Sequence, residues 1–302
     1  MSKSVGDNFV KNIEVAENRI VSFIKRHPVT MFFTLTIAYS WTIWGLLFII
    51  AHEGFVSGRI QGFQDGIIAI MAFLGGTGSS VMGILLTRIT EKKKGVRNLF
   101  TRSGNWRENS NWYFISILTM PFILISMLIL LAVSISQAFL PGIFVSEDIT
   151  SLIAFGIILG LVAGCVEEFG WTGFALPRLR KKHSALASAL IIGPIWGLWH
   201  FLGDYWGRRI AFGKLVFLNF AVFVVLIMAY RVLMTWVYNN TDGNLSLAIF
   251  MHASFSGSLY IFMPPFTSLI DHIVAHFVLA VILWVIAFIV VMLYGKNLKR
   301  YK

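Results

Sequence analysis

Two adjacent glutamates, Glu167 and Glu168, interrupt the otherwise apolar stretch Gly164-Cys165-Val166-Glu167-Glu168-Phe169-Gly170-Trp171. Two histidines stand in similar surroundings, one closing Trp196-Gly197-Leu198-Trp199-His200 and one opening His252-Ala253-Ser254-Phe255-Ser256. Arg231 sits in a third apolar run. A carboxylate close to imidazoles can hydrolyse a peptide bond: it takes a proton from water while its neighbours orient that water or steady the oxyanion. In this wiring Glu167 is the base, neutral His200 and His252 assist, Ser256 donates a hydrogen bond, and no cofactor is needed. A second wiring makes Glu167, His200 and His252 ligands of a zinc ion that activates the water. The residues alone leave both open.

Helical spacing assigns partners. Glu167 and Glu168 point about 100° apart, so they serve different roles rather than sharing one proton. Trp196 and His200, Glu168 and Thr172, and His252 and Ser256 each stand at i and i+4 on one face. Arg231 is the available intramembrane cation, and it is expected to pair with Glu168.

The elements that must hold these groups follow from composition. Of 302 residues 57% are hydrophobic and 13% charged, against about 25% charged in soluble domains. That excludes a soluble enzyme and predicts an all-α, polytopic membrane protein, because a spanning helix satisfies its own backbone and an open sheet does not. About eight spans are expected, near 29–51, 66–88, 112–140, 150–176, 186–203, 214–237, 245–262 and 272–294. The single cysteine, Cys165, excludes an intrachain disulfide framework and a cysteine-rich metal site. Residues 28–302 read as a single transmembrane domain. Residues 1–27, with Phe9, Ile13, Ile20 and Ile24 at helical spacing, read as an amphipathic cytoplasmic segment lying on the membrane.

The net charge of +11 does not imply nucleic acid. Arg88, Lys92, Lys93, Lys94, Arg97, Arg178, Arg180, Lys181, Lys182, Lys296 and Lys299 lie in or beside short loops on one side of an eight-span model. That side is expected to be cytoplasmic, with both termini inside and anionic lipid as neighbour. Counting helix rise from that side puts Glu167, His252 and Arg231 at similar depths of roughly 13, 12 and 10 Å. His200 counts to roughly 24 Å, unless residues 183–189 extend outside the bilayer or Pro194 kinks the helix.

Other protease chemistries lack their signatures. There is no His-Glu-x-x-His run and no pair of mid-span aspartates, and Gly78-Ser79 and Gly257-Ser258 fit small-residue helix contacts better than serine nucleophiles. A proton or ion path through Glu167, Glu168, Arg231 and the histidines would suit a transporter, but no repeated halves support it.

In order along the chain, Glu167-Glu168-Phe169-Gly170-Trp171-Thr172, Trp196-x-x-x-His200 and His252-x-x-x-Ser256 resemble the three motifs of the CPBP family, the CAAX-protease and bacteriocin-processing (Abi) proteins. Those motifs read Glu-Glu-x-x-x-Arg, Phe-x-x-x-His and His-x-x-x-Asn, and the likeness covers about residues 150–260. The resemblance implies an eight-span fold and an intramembrane endopeptidase acting on a peptide or membrane-anchored protein. It implies Glu167 as water-activating base, Glu168 as its partner, and His200, His252 and Ser256 as the other site positions. In a bacterial plasma membrane, which the compact length favours, bacteriocin processing or self-immunity would follow. Two departures stand out. Thr172 replaces the arginine, removing the i+4 partner of Glu168, and Ser256 replaces the asparagine with a shorter donor. A member that has lost catalysis would instead be a scaffold binding a partner in the same cavity.

Overall fold

A computed structural model describes residues 19–57, 63–104, 108–265 and 268–299. The first 18 residues of the expected amphipathic segment lie outside the described part. Residues 19–26 are helical, with Ile20 and Phe23 exposed and Ile24 buried.

The long apolar runs become helices, and no strand occurs among the described residues. They are α1 (Pro28–Ser57), α2 (Phe63–Gly76), α3 (Gly78–Ser103), α4 (Ser110–Ser134), α5 (Ile149–Gly170), α6 (Ala185–Phe212), α7 (Val216–Asn240), α8 (Leu245–Phe262) and α9 (Leu269–Tyr294). Polar side chains set several starts by accepting from free backbone N–H groups. Asn109 accepts from Asn111 and Asn244 from Ser246, each at 3.0 Å. Asp148 accepts from Ser151 at 2.9 Å, which holds its carboxyl below the usual range.

Seven helices are long and apolar enough to cross a membrane, and the bent pair α2–α3 brings the number to eight if it forms one span. This chain is therefore a multi-pass membrane protein. Three details differ from the expected spans. The second span is bent by 44° at Thr77. The third ends at Ser134, where Ser136 caps a short turn, Gln137–Phe139, ahead of Pro141. The fifth, α6, runs on as helix through Pro194 to Phe212 rather than breaking there.

Small residues let the site-bearing helices approach closely. Gly156, Gly160 and Gly164 form an i+4 stripe on α5. A Cβ on Gly160 would strike the Ala253 carbonyl of α8, and one on Gly164 would lie 2.5 Å from the Ile249 carbonyl. On α6, Gly193 and Gly197 face Met228 and Val224 of α7. On α3, Gly83 abuts Gly170, and a Cβ on Gly170 would collide with the Ser79 backbone. Gly160→Leu is accordingly expected to force α5 and α8 apart, with a loss of about 1–3 kcal/mol or more, read as a lower thermal midpoint in detergent micelles.

Immediately after Gly170 the backbone widens into a π-helical turn, Trp171–Ala175, all of it buried, before a last turn Leu176–Leu179. Such widened turns concentrate at functional sites. Its underside rests on the end of α3, which bends at Lys92 (φ 60°, ψ −158°). Beyond that bend Leu99 meets Gly173, and the Phe100 and Phe169 rings lie 5.0 Å apart. Arg178 ties the same corner together, donating to the Phe174 carbonyl at 3.0 Å and pairing with Glu91 of α3.

Candidate active site

Four helices bring five polar groups to the place where α5 gives way to the π turn. Glu167 and Glu168 come from the last turn of α5, Trp196 from α6, Arg231 from α7 and His252 from α8. All five are at most 5% exposed. Charge at this depth costs roughly 2.5–3.5 kcal/mol on insertion scales unless it is paired, so the pairing is the informative feature.

Glu168 is fully occupied. Arg231 grips it through two parallel bonds, Nη2 to Oε1 and Nη1 to Oε2, each 3.0 Å. His252 Nδ1 lies 2.7 Å from the same Oε1. Thr172 donates its hydroxyl to Oε2 and accepts from Arg231 Nη1 at 3.0 Å. A carboxylate held by a fork of this kind is ionised and accepts only, so His252 must donate from Nδ1. In the neutral imidazole, Nε2 then carries the lone pair.

Glu167 is differently placed. Its Oε2 accepts from the Trp196 indole at 2.8 Å, while Oε1 faces His252 Nε2 at 3.7 Å. Its backbone carbonyl accepts from the Ser79 hydroxyl at 2.8 Å. The side chain is 7% exposed. The two glutamates thus have separate environments, one locked in a salt bridge and one with an oxygen free to face a reactant.

The expected pairing of Arg231 with Glu168 is present. The Thr172 departure therefore does not leave Glu168 without a cation, because the charge arrives from α7 instead of from position 172. Trp196 does more than its place in an aromatic motif suggests. Its indole anchors Glu167, and its ring lies under the Arg231 guanidinium at 4.3 Å and beside His252 at 5.2 Å. Tryptophan rather than phenylalanine at this position was the available signal, since only tryptophan carries an N–H. Ser79, read from the sequence as a small-residue helix contact, also donates to the Glu167 backbone, and a serine beside glycine has no spacing that would signal that bond.

His200 and Ser256 are not drawn into the hydrogen-bonded cluster. The His200 ring lies against Trp199 and Phe223, at 4.7 and 5.5 Å, and no hydrogen bond or ion pair joins it to Glu167 or His252 among the described residues. Ser256, one turn beyond His252, likewise makes no hydrogen bond to the cluster. This bears on the zinc wiring. Among the described residues no group of three His, Cys, Asp or Glu side chains is close enough together to hold a metal ion. A metal-bound histidine commonly donates its other ring N–H to a carboxylate, so the His252–Glu168 bond is compatible with either wiring.

Comparison with known proteins converges on one class. Residues 149–258 match the family model described as type II CAAX prenyl endopeptidase Rce1-like. The chain is also similar to CAAX prenyl protease 2 of Methanococcus maripaludis, with 24% identity over 253 residues, covering 77% of this chain and 84% of that protein. The matched segment spans α5 to α8, the four helices that supply the cluster.

Proposed function

We propose that this chain, a CPBP-type membrane protease by its matched core, hydrolyses a peptide bond with a water activated by Glu167. The observation that carries the reading is the division of labour between the two glutamates. Glu168 is spent on Arg231 and His252, whereas Glu167 is tethered by one oxygen and presents the other beside His252 Nε2. Those two acceptors, 3.7 Å apart, suit a water molecule that donates one O–H to each.

In this mechanism Glu167 takes a proton from the water as its oxygen bonds to the scissile carbonyl carbon. The C–N bond then breaks, and the proton held on Glu167 passes to the leaving nitrogen. Trp196 keeps Glu167 aimed throughout. His200 and Ser256, one turn from Trp196 and His252, are assigned to the substrate side, where their donors would meet the carbonyl oxygen.

The names of the matched family and relative suggest the substrate class: a membrane-anchored peptide with a prenylated cysteine near its C-terminus, the C-a-a-X arrangement. We place the basic loops, and with them the mouth of the site, on the cytoplasmic side. Processing of secreted peptides, or self-immunity against them, would use the same chemistry on another chain.

The test is cleavage of a farnesylated C-a-a-X peptide by the purified protein in liposomes, followed by mass spectrometry. Shortening of the farnesylated peptide is expected, and it should persist in EDTA and in 1,10-phenanthroline. A farnesylated peptide left intact, or cleavage abolished by chelators and restored by zinc, would contradict the reading.

A further inference from the structure

Arg231 touches neither Glu167 nor the face where a substrate would lie, yet it stands behind both arms of the site. One arm runs from its guanidinium through Glu168 to His252 Nδ1, the other from its face across the Trp196 ring to Glu167. We propose that Arg231 is a positioning residue that fixes the tautomer of His252, and that this duty belongs to a cation at the Glu168 carboxylate rather than to residue 231 as such.

The argument begins with Glu168, which is wholly buried. With the guanidinium present the carboxylate is ionised, so a neutral His252 carries its proton on Nδ1 and offers a lone pair at Nε2. Without it, a lone carboxylate in this surrounding takes up a proton, because an uncompensated buried charge is costly. A protonated Glu168 donates to Nδ1. His252 must then carry its proton on Nε2, and an N–H replaces the acceptor that faces Glu167. Loss of a remote charge thus reverses the hydrogen-bond polarity of the imidazole beside the attacking water. The second wiring of the same charge is visible in the fold. Thr172 stands four residues after Glu168, and its hydroxyl already touches both Glu168 Oε2 and Arg231 Nη1. A long side chain from position 172 would reach the same carboxylate from the π turn that follows α5.

The decisive experiment compares wild type, Arg231→Ala, Arg231→Lys and the transposed double variant Thr172→Arg with Arg231→Ala, each in liposomes. Histidine 15N NMR, with His252 assigned by its loss in His252→Gln, reads the tautomer directly. We expect an Nδ1–H tautomer in wild type, Nε2–H in Arg231→Ala, and Nδ1–H again in the transposed variant. Arg231→Lys, which keeps the charge without the fork, should retain Nδ1–H and guards against an alanine variant that fails to fold. Peptide cleavage should fall about 100-fold in kcat in Arg231→Ala with little change in KM, and recover at least about tenfold in the transposed variant. An Nε2–H tautomer in wild type or in Arg231→Lys overturns the proposal. So does an unchanged tautomer in Arg231→Ala, or a folded transposed variant with Nε2–H. The kinetic arm rests on the assignment of Glu167 as base, while the tautomer is read without any substrate. Failure of cleavage in wild type therefore condemns the proposed function and leaves the positioning claim to the NMR result.

Discussion

Glu167→Gln is expected to lower peptide cleavage by about 10²–10⁴-fold while leaving the protein as stable as wild type. Glutamine matches glutamate in size, and its amide oxygen can still accept from the Trp196 indole that now meets Oε2. Its amide nitrogen can turn toward His252 Nε2, where the lone pair is free to accept. What glutamine cannot do is take a proton from water. Packing and hydrogen bonding survive, so a fall in kcat with an unaltered thermal midpoint isolates the chemical role. Retention of more than about a tenth of the wild-type rate would remove Glu167 from the position of base, since a general base is worth at least about a hundredfold.

The largest effect on stability is expected one residue further on. Glu168→Met removes the anion from Arg231, whose side chain is itself fully buried. No other carboxylate pairs with Arg231 among the described residues, and its Nε has no hydrogen-bond partner. An uncompensated guanidinium should cost about 3–5 kcal/mol. The double variant Glu168→Met with Arg231→Met should recover most of that loss, because exchanging a buried ion pair for apolar side chains of similar volume is often neutral or better. Cleavage should not return in the double variant, since His252 Nδ1 would have lost its acceptor. Thermal unfolding in micelles checks the stability cycle and the liposome assay checks activity. If the double variant were as unstable as the single one, the pair would be held by packing rather than by charge.

Much of this architecture was legible before any coordinates. Long apolar runs announced the helices, since hydrocarbon permits few other backbones. Charges inside those runs announced the cluster, and equal depth on three segments correctly paired Arg231 with Glu168. Rotation about each helix axis was less legible. Depth says how far down a side chain lies but not which way it points, so it gave no sign that His200 and Ser256 would stand outside the hydrogen-bonded cluster. The π turn at Trp171–Ala175 was invisible for a related reason: one extra residue per turn leaves no trace in an apolar sequence whose every face is buried. The bend at Lys92 was also hidden, because lysine gives no sign of a positive φ that glycine would have advertised. The Thr172 departure, read alone, suggested a missing charge. Only the approach of α7 shows that the charge was relocated.

The fork between Arg231 and Glu168 also bears on the charge balance of the proposed reaction. With Glu168 cancelled by the guanidinium, the proposed mechanism works with a single excess negative charge in the cluster, carried on Glu167 beside a neutral His252. Capturing a proton from water brings the enclosure to neutrality just as negative charge grows on the peptide oxygen. In a medium of low polarizability, two like charges a few ångströms apart would repel strongly. The counterion buried on α7 thus lets the pocket process one unit of charge per turnover without ever having to house two.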